Sequence, residues 1–195
     1  MNDSSILTII IGSLLINNFV LTQFLGVCSF LNSPTRVKPA LSLSAAIALV
    51  MTLGTAVTYP VYKFLLVPLE LEYLQIVVFV LIIAILTQIF GAVMKKASPK
   101  LYESASASPP LITINCAVLG VTIMNIAKNY SFGQSIANAV GGGLGLMLAM
   151  VIFAGIRNRL ESADVPNRFK GVPISFAAAA LVSLSFWGFK GLAGL

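Results

Sequence analysis

Uncharged residues form six long runs along this chain, and each run is long enough to cross a membrane as a helix. The runs contain no Asp, Glu, Lys or Arg and cover residues 4–35, 39–62, 73–94, 104–127, 129–156 and 171–189. They are 32, 24, 22, 24, 28 and 19 residues long, and a helix needs about 20 apolar residues to cross a bilayer core. The pattern predicts an all-α membrane protein with six transmembrane helices in a single domain over residues 1–195.

The composition supports a membrane protein and excludes several soluble classes. Hydrophobic residues make up 58% of the 195 residues and charged residues only 9%, whereas soluble domains contain roughly 25% charged residues. Eighteen charged side chains cannot cover the surface of a water-soluble globule of this size. A soluble enzyme, a nucleic-acid-binding domain and a disordered linker are therefore excluded.

The basic residues predict the orientation of the helices. Nine of the twelve lysines and arginines lie in the connections 31–39, 95–108 and 157–170. Because short cytoplasmic loops are enriched in Lys and Arg, these three connections are predicted to be cytoplasmic. With an even number of spans, both termini then lie on the non-cytoplasmic side. The net charge of +6 is thus interpreted as an orientation signal.

Two of the runs contain features that predict broken helices. The first run would rise about 48 Å as a continuous helix, which is much more than a bilayer core of about 30 Å. It contains Asn17 and Asn18, whose amides are costly in a membrane without partners, and we predict that it is broken or unwound between residues 17 and 28. The fourth run contains Ser-Pro-Pro at residues 108–110 near its beginning, a typical helix start, and it also contains an asparagine beside a cysteine.

An internal duplication is predicted from the same two segments. The Leu-Gly pair at 25–26 recurs at 119–120, an offset of 94 residues that also relates runs 2 and 3 to runs 5 and 6. A unit of three spans that is repeated must have inverted topology, which is a common architecture of membrane proteins. The predicted repeats cover about residues 4–96 and 106–190.

Small residues are concentrated in the last two runs. Residues 141–145 read Gly-Gly-Gly-Leu-Gly, and residues 177–180 are four alanines. A phosphate-binding loop would require a following Gly-Lys-Ser/Thr, which the sequence lacks. Because small residues allow helix backbones to approach closely in a membrane, these runs are predicted to be helix contacts.

Two cysteines are the main candidates for chemistry. The chain has no histidine, and no carboxylate lies within the six runs, so a buried proton relay or acid–base pair is not expected. Cys28 and Cys116 are predicted to lie in the cytoplasmic halves of their spans. Three interpretations remain open: packing as small hydrophobic residues, a disulfide, or ligation of an iron–sulfur cluster. A cluster usually needs four thiolates, so two would require a second chain.

Five segments resemble the A-type family of Rnf complex membrane proteins, which is also called Rsx. The resemblance covers essentially the whole chain and extends more distantly to the E-type component of the sodium-translocating NADH:quinone reductase. The matching segments are 17–21 (NNFVL), 24–28 (FLGVC), 110–120 (PLITINCAVLG), 153–157 (FAGIR) and 163–166 (ADVP).

The resemblance implies a membrane subunit of an ion-translocating ferredoxin:NAD+ oxidoreductase in a prokaryotic cell membrane. Such a subunit pairs with a homologous E-type subunit of opposite orientation, within a complex that also contains B-, C-, D- and G-type subunits. The pair shares one [2Fe-2S] cluster and relays electrons across the membrane, coupled to transport of Na+ or H+. Without its partners the chain is expected to have no activity of its own.

The resemblance also assigns the site. Cys28 and Cys116 are implied as this chain's two ligands of the cluster. The residues predicted to surround it lie in the same two segments and are Asn17, Asn18, Gly26, Asn115 and Gly120. The alternative function is a six-helix carrier, or the substrate-binding component of a small-molecule importer, because inverted repeats and broken helices are also typical of carriers.

Overall fold

The computed structural model describes residues 9–10, 12–16, 25–26, 37–68, 72–97, 115–161 and 171–192. Five α-helices account for most of these residues, and no strand occurs among them. The helices are α1 (Val37–Val61), α2 (Gln75–Ala97), α3 (Cys116–Ala127), α4 (Phe132–Glu161) and α5 (Val172–Leu192). Shorter helical turns are Gly12–Ile16 and Tyr62–Leu66, which are π-helical, and Glu72–Leu74, which is 3₁₀.

The helices confirm the predicted class of protein. Three are long and apolar enough to cross a membrane (Ala40–Leu66, Gln75–Val93 and Phe132–Leu160), and Cys116–Ala127 and Pro173–Gly188 are shorter apolar helices. The chain is therefore a multi-pass helical membrane protein. The total of six spans stays a prediction, because most of the first run and residues 98–114 and 162–170 lie outside the described residues.

The uncharged runs locate the observed helices closely. Helices α1, α2 and α5 begin and end within about three residues of runs 2, 3 and 6, whereas α4 continues past run 5 to Glu161. A shift of 94 residues places α1 at 131–155 and α2 at 169–191, close to the bounds of α4 and α5. The repeat and its inverted topology both stay predictions.

The core lies where α1, α3 and α4 pack together. Ile47 and Met51 of α1, Val118 of α3, and Met150 and Phe153 of α4 each expose no more than 1% of their surface. Helices α2 and α5 expose large apolar side chains such as Leu81 and Leu181, and several large apolar side chains of α1 and α4 are exposed as well. In a membrane protein such a surface faces lipid or another subunit rather than water.

The glycine run is a helix contact, as predicted. A Cβ atom at Gly143 would lie 2.8 Å from the Cβ atom and 3.2 Å from the Cα atom of Ala48, and one at Gly141 would lie 2.9 Å from the carbonyl oxygen of Ile10. These glycines therefore let α4 approach α1 and the first run closely. In the alanine run, Ala178 and Ala179 pack against the core.

We expect Gly143→Ala to destabilise the protein. The added methyl group would overlap the Cβ atom of Ala48 and crowd its Cα atom, and overpacking of this kind costs about 1–3 kcal/mol. The matched control is Gly155→Ala in the same helix, where a Cβ atom would have no neighbour within 4 Å. Thermal unfolding in detergent should show a midpoint for Gly143→Ala that is about 2–12 °C below that of Gly155→Ala. Equal midpoints would contradict the close contact.

Helical structure is interrupted at one described position in each predicted broken segment. Gly26 has a φ of +92°, which a right-handed helix does not contain. Asn115 has an extended backbone, with φ −95° and ψ 116°, so α3 begins at Cys116. The twelve residues of α3 rise about 18 Å, roughly half of a bilayer core.

Candidate functional site

Cys116 is held in place by the cap of α3. It is the first residue of the helix and is partly exposed. The preceding residue, Asn115, is buried, and its side-chain oxygen accepts a hydrogen bond of 2.9 Å from the backbone N–H of Ala117. The carbonyl oxygen of Asn115 accepts from the N–H groups of Val118 and Leu119 at 3.1 and 3.3 Å. Asn115 therefore accepts the first hydrogen bond of the helix from Leu119 and satisfies two of the N–H groups that a helix start leaves unpaired, those of Ala117 and Val118. These bonds fix the backbone at Cys116.

A hydrogen bond from Gly26 to Cys116 connects the two interrupted segments. The backbone N–H of Gly26 donates a hydrogen bond to Sγ of Cys116, with a distance of 3.0 Å between nitrogen and sulfur, although the residues are 90 positions apart. The positive φ of Gly26 directs this N–H group and is a conformation that residues with a Cβ atom rarely adopt. A Cβ atom here would also lie 3.2 Å from the Cβ atom of Ala117 and 3.6 Å from Cδ1 of Leu146. Both constraints require glycine.

Gly120 makes room for Leu25, the residue that precedes Gly26. A Cβ atom at Gly120 would lie 2.6 Å from Cδ1 of Leu25. Leu25 thus occupies the space that the glycine leaves open one turn after Cys116, and it packs against the hydrophobic core. The Leu-Gly pairs that predicted the duplication are therefore in direct contact with each other in the fold.

The charge environment favours a negatively charged sulfur at this position. The positive end of the α3 dipole lies at Cys116, and a thiolate is stabilised at a helix N-terminus. The N–H group of Gly26 adds a second favourable interaction. Ala117 and Val118, which follow the cysteine, are fully buried, so the partly exposed Cys116 borders an apolar interior. A thiolate in these surroundings is suited to bind a soft metal such as the iron of an iron–sulfur cluster.

The described part of the chain supplies one thiolate to this site. Within it, no three His, Cys, Asp or Glu side chains lie close enough together to hold a metal ion. Of the predicted site residues, the structure brings together Gly26, Asn115, Cys116 and Gly120. The other three, Cys28, Asn17 and Asn18, lie outside the described residues.

A second group of buried polar residues is not among the sequence predictions. Asn125 of α3 and Ser135 and Asn138 of α4 each expose 3% of their surface or less. We call these three residues the polar cluster. The sequence does indicate two of these residues, because asparagine inside a membrane span is costly without partners. The reasoning that identifies Asn17 and Asn18 also applies to Asn125 and Asn138.

We expect Asn115→Ala to weaken the site through the loss of the helix cap. Removal of an N-cap side chain costs about 1 kcal/mol, and here it also frees the backbone that positions Cys116. Asn115→Ser is the conservative control, since serine is a comparable N-cap. The rate of thiol alkylation at Cys116 should rise several-fold in Asn115→Ala and much less in Asn115→Ser. Equal rates in the two variants would mean that the cap does not hold the cysteine.

Comparison with protein families identifies relatives over nearly the full chain. Residues 6–193 match the family model described as "Rnf-Nqr subunit, membrane protein". The A-type subunit of the Na+-translocating ferredoxin:NAD+ oxidoreductase complex of Acetobacterium woodii is 46% identical over 188 residues, which cover 96% of this chain and 98% of that protein.

Two further relatives have a more general name, which describes them as A-type subunits of an ion-translocating oxidoreductase complex. The protein from Syntrophotalea carbinolica is 45% identical over 188 residues, with 96% of this chain and 97% of the relative covered. The protein from Azotobacter vinelandii is 44% identical over 190 residues, with 97% and 98% covered. The relatives are thus named as subunits of multi-subunit redox complexes.

Proposed function

This chain belongs to the Rnf-Nqr family of membrane subunits, and on that premise we propose that it is the A-type subunit of an ion-translocating ferredoxin:NAD+ oxidoreductase. Its proposed role is to relay electrons across the membrane through a [2Fe-2S] cluster that it shares with a homologous subunit. Transport of Na+ or H+ by the complex is coupled to this electron transfer. The name of the relative from Acetobacterium woodii supports the reaction class.

The observation on which the proposal depends is the contact between Gly26 and Cys116. A cysteine that served only for packing would need neither a helix start nor a hydrogen-bond donor aimed at its sulfur. Here the thiol lies at the N-terminus of a short helix and accepts an N–H group from the other interrupted segment. Hydrogen bonds to sulfur and helix dipoles are the means by which proteins stabilise reduced iron–sulfur centres.

The residues at this site fit such a cofactor. Cys116 and Cys28 would hold it, and a [2Fe-2S] cluster, when bound, accepts and donates one electron at a time. The chain's own residues have three tasks. Asn115 fixes the start of α3, Gly26 donates to the ligand sulfur, and buried side chains such as Ala117 and Val118 exclude water on the inner side.

The partner is inferred from the number of ligands. Two cysteines supply half of the usual four thiolates, and Cys116 is a partly exposed residue, as a residue at a contact with a second chain would be. We assign the other half to an E-type subunit of opposite orientation, in a complex that also has B-, C-, D- and G-type subunits. In this arrangement both termini of the present chain lie on the non-cytoplasmic side of a prokaryotic cell membrane.

Iron analysis of the intact complex tests the proposal. The complex is purified anaerobically from membranes, its iron and acid-labile sulfide are measured, and electron paramagnetic resonance spectra are recorded after reduction. We expect a [2Fe-2S] signal that remains with the membrane subunits when the peripheral subunits are removed. Membrane subunits that contain no iron would contradict the relay and would favour the carrier alternative.

A further inference from the structure

One face of α3 carries both Cys116 and Gly120. The two residues are four positions apart, so they lie on the same side of the helix, about 6 Å apart along its axis. Gly120 has no side chain and leaves a gap on this face, which we call the Gly120 notch. The face therefore offers a hydrogen-bond acceptor, the sulfur of Cys116, and one turn further on a space for an apolar group.

Leu25 and Gly26 contact this face at both points. Three carbon atoms of the Leu25 side chain fill the Gly120 notch, since Cδ1, Cδ2 and Cγ would lie 2.6, 3.3 and 3.4 Å from a Cβ atom at Gly120. The next residue, Gly26, donates its N–H group to Sγ of Cys116 at 3.0 Å. Two neighbouring residues of the first run thus make one apolar and one polar contact with the same part of α3.

The planarity of the peptide bond couples these two contacts. The N–H group of Gly26 lies in the peptide plane that also contains the Cα atoms of Leu25 and Gly26, so movement of either Cα atom displaces the N–H group. Gly26 is buried, and a substituent on its Cα atom would meet Cβ of Ala117 at 3.2 Å and Cδ1 of Leu146 at 3.6 Å. That end of the peptide plane is therefore confined by its neighbours. The other end is held by the side chain of Leu25 in the notch.

We propose that Leu25 is a positioning residue for the redox centre, because its side chain in the Gly120 notch keeps the N–H group of Gly26 directed at the sulfur of Cys116. This inference rests on the proposed function and deepens it. It assigns part of the control of the reduction potential to an apolar side chain, which acts on the cluster through the N–H group of Gly26. A hydrogen bond to a ligand sulfur favours the reduced state.

Leu25→Ala in the intact complex tests this role. The variant empties the notch, so the peptide plane gains freedom and the hydrogen bond from Gly26 to Cys116 weakens. We expect the midpoint potential in a spectroscopic redox titration to fall by about 30–60 mV, roughly a three- to tenfold change in the equilibrium constant for one electron. Hydrogen exchange at the amide of Gly26, followed by mass spectrometry of overlapping peptides, should become several-fold faster.

Two variants separate positioning from packing. Leu86→Ala is the matched control, because Leu86 lies in α2, is partly buried like Leu25 and packs against the same hydrophobic core. It should lose comparable stability but leave the potential and the exchange of Gly26 unchanged. Leu25→Met is the conservative variant. It retains the volume of the side chain, and a flexible methionine can still fill the notch, so the potential should stay close to that of the wild type.

Gly120→Ala tests the same contact from the side of α3. The added methyl group takes the space of Cδ1 of Leu25 and displaces that side chain from the notch. Alanine is a better helix former than glycine, and the displaced atoms are the end of a flexible side chain, so the variant should fold even if Leu25→Ala does not. We expect the same fall in potential and the same faster exchange at Gly26.

The inference is overturned if Leu25→Ala matches Leu86→Ala in its potential or in its exchange at Gly26. If Leu25→Ala does not assemble, the same comparison is made with Gly120→Ala. Either match would mean that Leu25 serves for packing alone. Wild-type membrane subunits without iron would instead contradict the proposed function, and this inference with it. The two failures are distinguishable, because the first is found only in variants that contain the wild-type amount of iron.

Discussion

Replacing Cys116 with serine is expected to abolish the [2Fe-2S] signal of the membrane subunits and the electron transfer that depends on it. A serine oxygen is a poor substitute for a thiolate as an iron ligand, and α3 places no other thiol at its start. Iron per complex should fall by about the content of one such cluster, which is two iron atoms. The measurement combines iron analysis with spectra of the reduced complex.

Two comparisons make this result specific. Cys28→Ser should give the same loss, because the proposal assigns the two cysteines the same role. If Cys116 served only for packing, Cys116→Ser would lower stability slightly and leave iron, spectra and turnover unchanged. The shared cluster is therefore contradicted by any Cys116→Ser complex that assembles normally and retains its full iron content.

The positions of the long helices follow from local properties of the sequence. A membrane helix must exclude charge over about 20 residues, so uncharged runs locate α1, α2, α4 and α5 directly. Helix α4 extends to Glu161 and includes Arg157 and Arg159, because a helix can continue beyond the bilayer once it is formed. Charge exclusion does not detect that extension.

The start of α3 depends on tertiary structure and is therefore predicted less well. A Ser-Pro-Pro segment is a good helix start in isolation, but the extended backbone of Asn115 starts the described helix at Cys116. At this helix start, Cys116 accepts a hydrogen bond from the backbone N–H of Gly26, which is 90 residues away in the sequence. Local propensity contains no information about such a pairing.

The candidate site is predictable as a set of residues but not as a geometry. The two segments with irregular composition do contain Gly26, Asn115, Cys116 and Gly120, which lie together in the structure. The sequence could not indicate that Gly26 donates to Cys116, the cysteine of the other segment. The polar cluster escapes prediction for a related reason: its residues are 10 and 13 positions from Asn125, and only the packing of α3 against α4 brings them together.

We expect Gly26→Ala to lower the reduction potential of the proposed cluster. An N–H group that points at a ligand sulfur stabilises the more negative, reduced state, so its loss makes reduction less favourable. Alanine cannot easily adopt the φ of +92°, and its Cβ atom would press against Ala117. A tenfold loss in the equilibrium constant for one electron corresponds to about 59 mV, and we expect a shift of this order in a spectroscopic redox titration.

The control variants separate the hydrogen bond from general strain. Gly91→Ala, in α2, adds a methyl group with no neighbour within 4 Å and should leave the potential unchanged. Gly26→Ala combined with Ala117→Gly removes the close contact with Ala117 but retains the unfavourable φ, so its potential should stay as low as that of Gly26→Ala. If the double variant regains the wild-type potential, the effect of Gly26→Ala comes from crowding alone. An unchanged potential in Gly26→Ala itself would mean that the N–H group of Gly26 does not influence the redox centre.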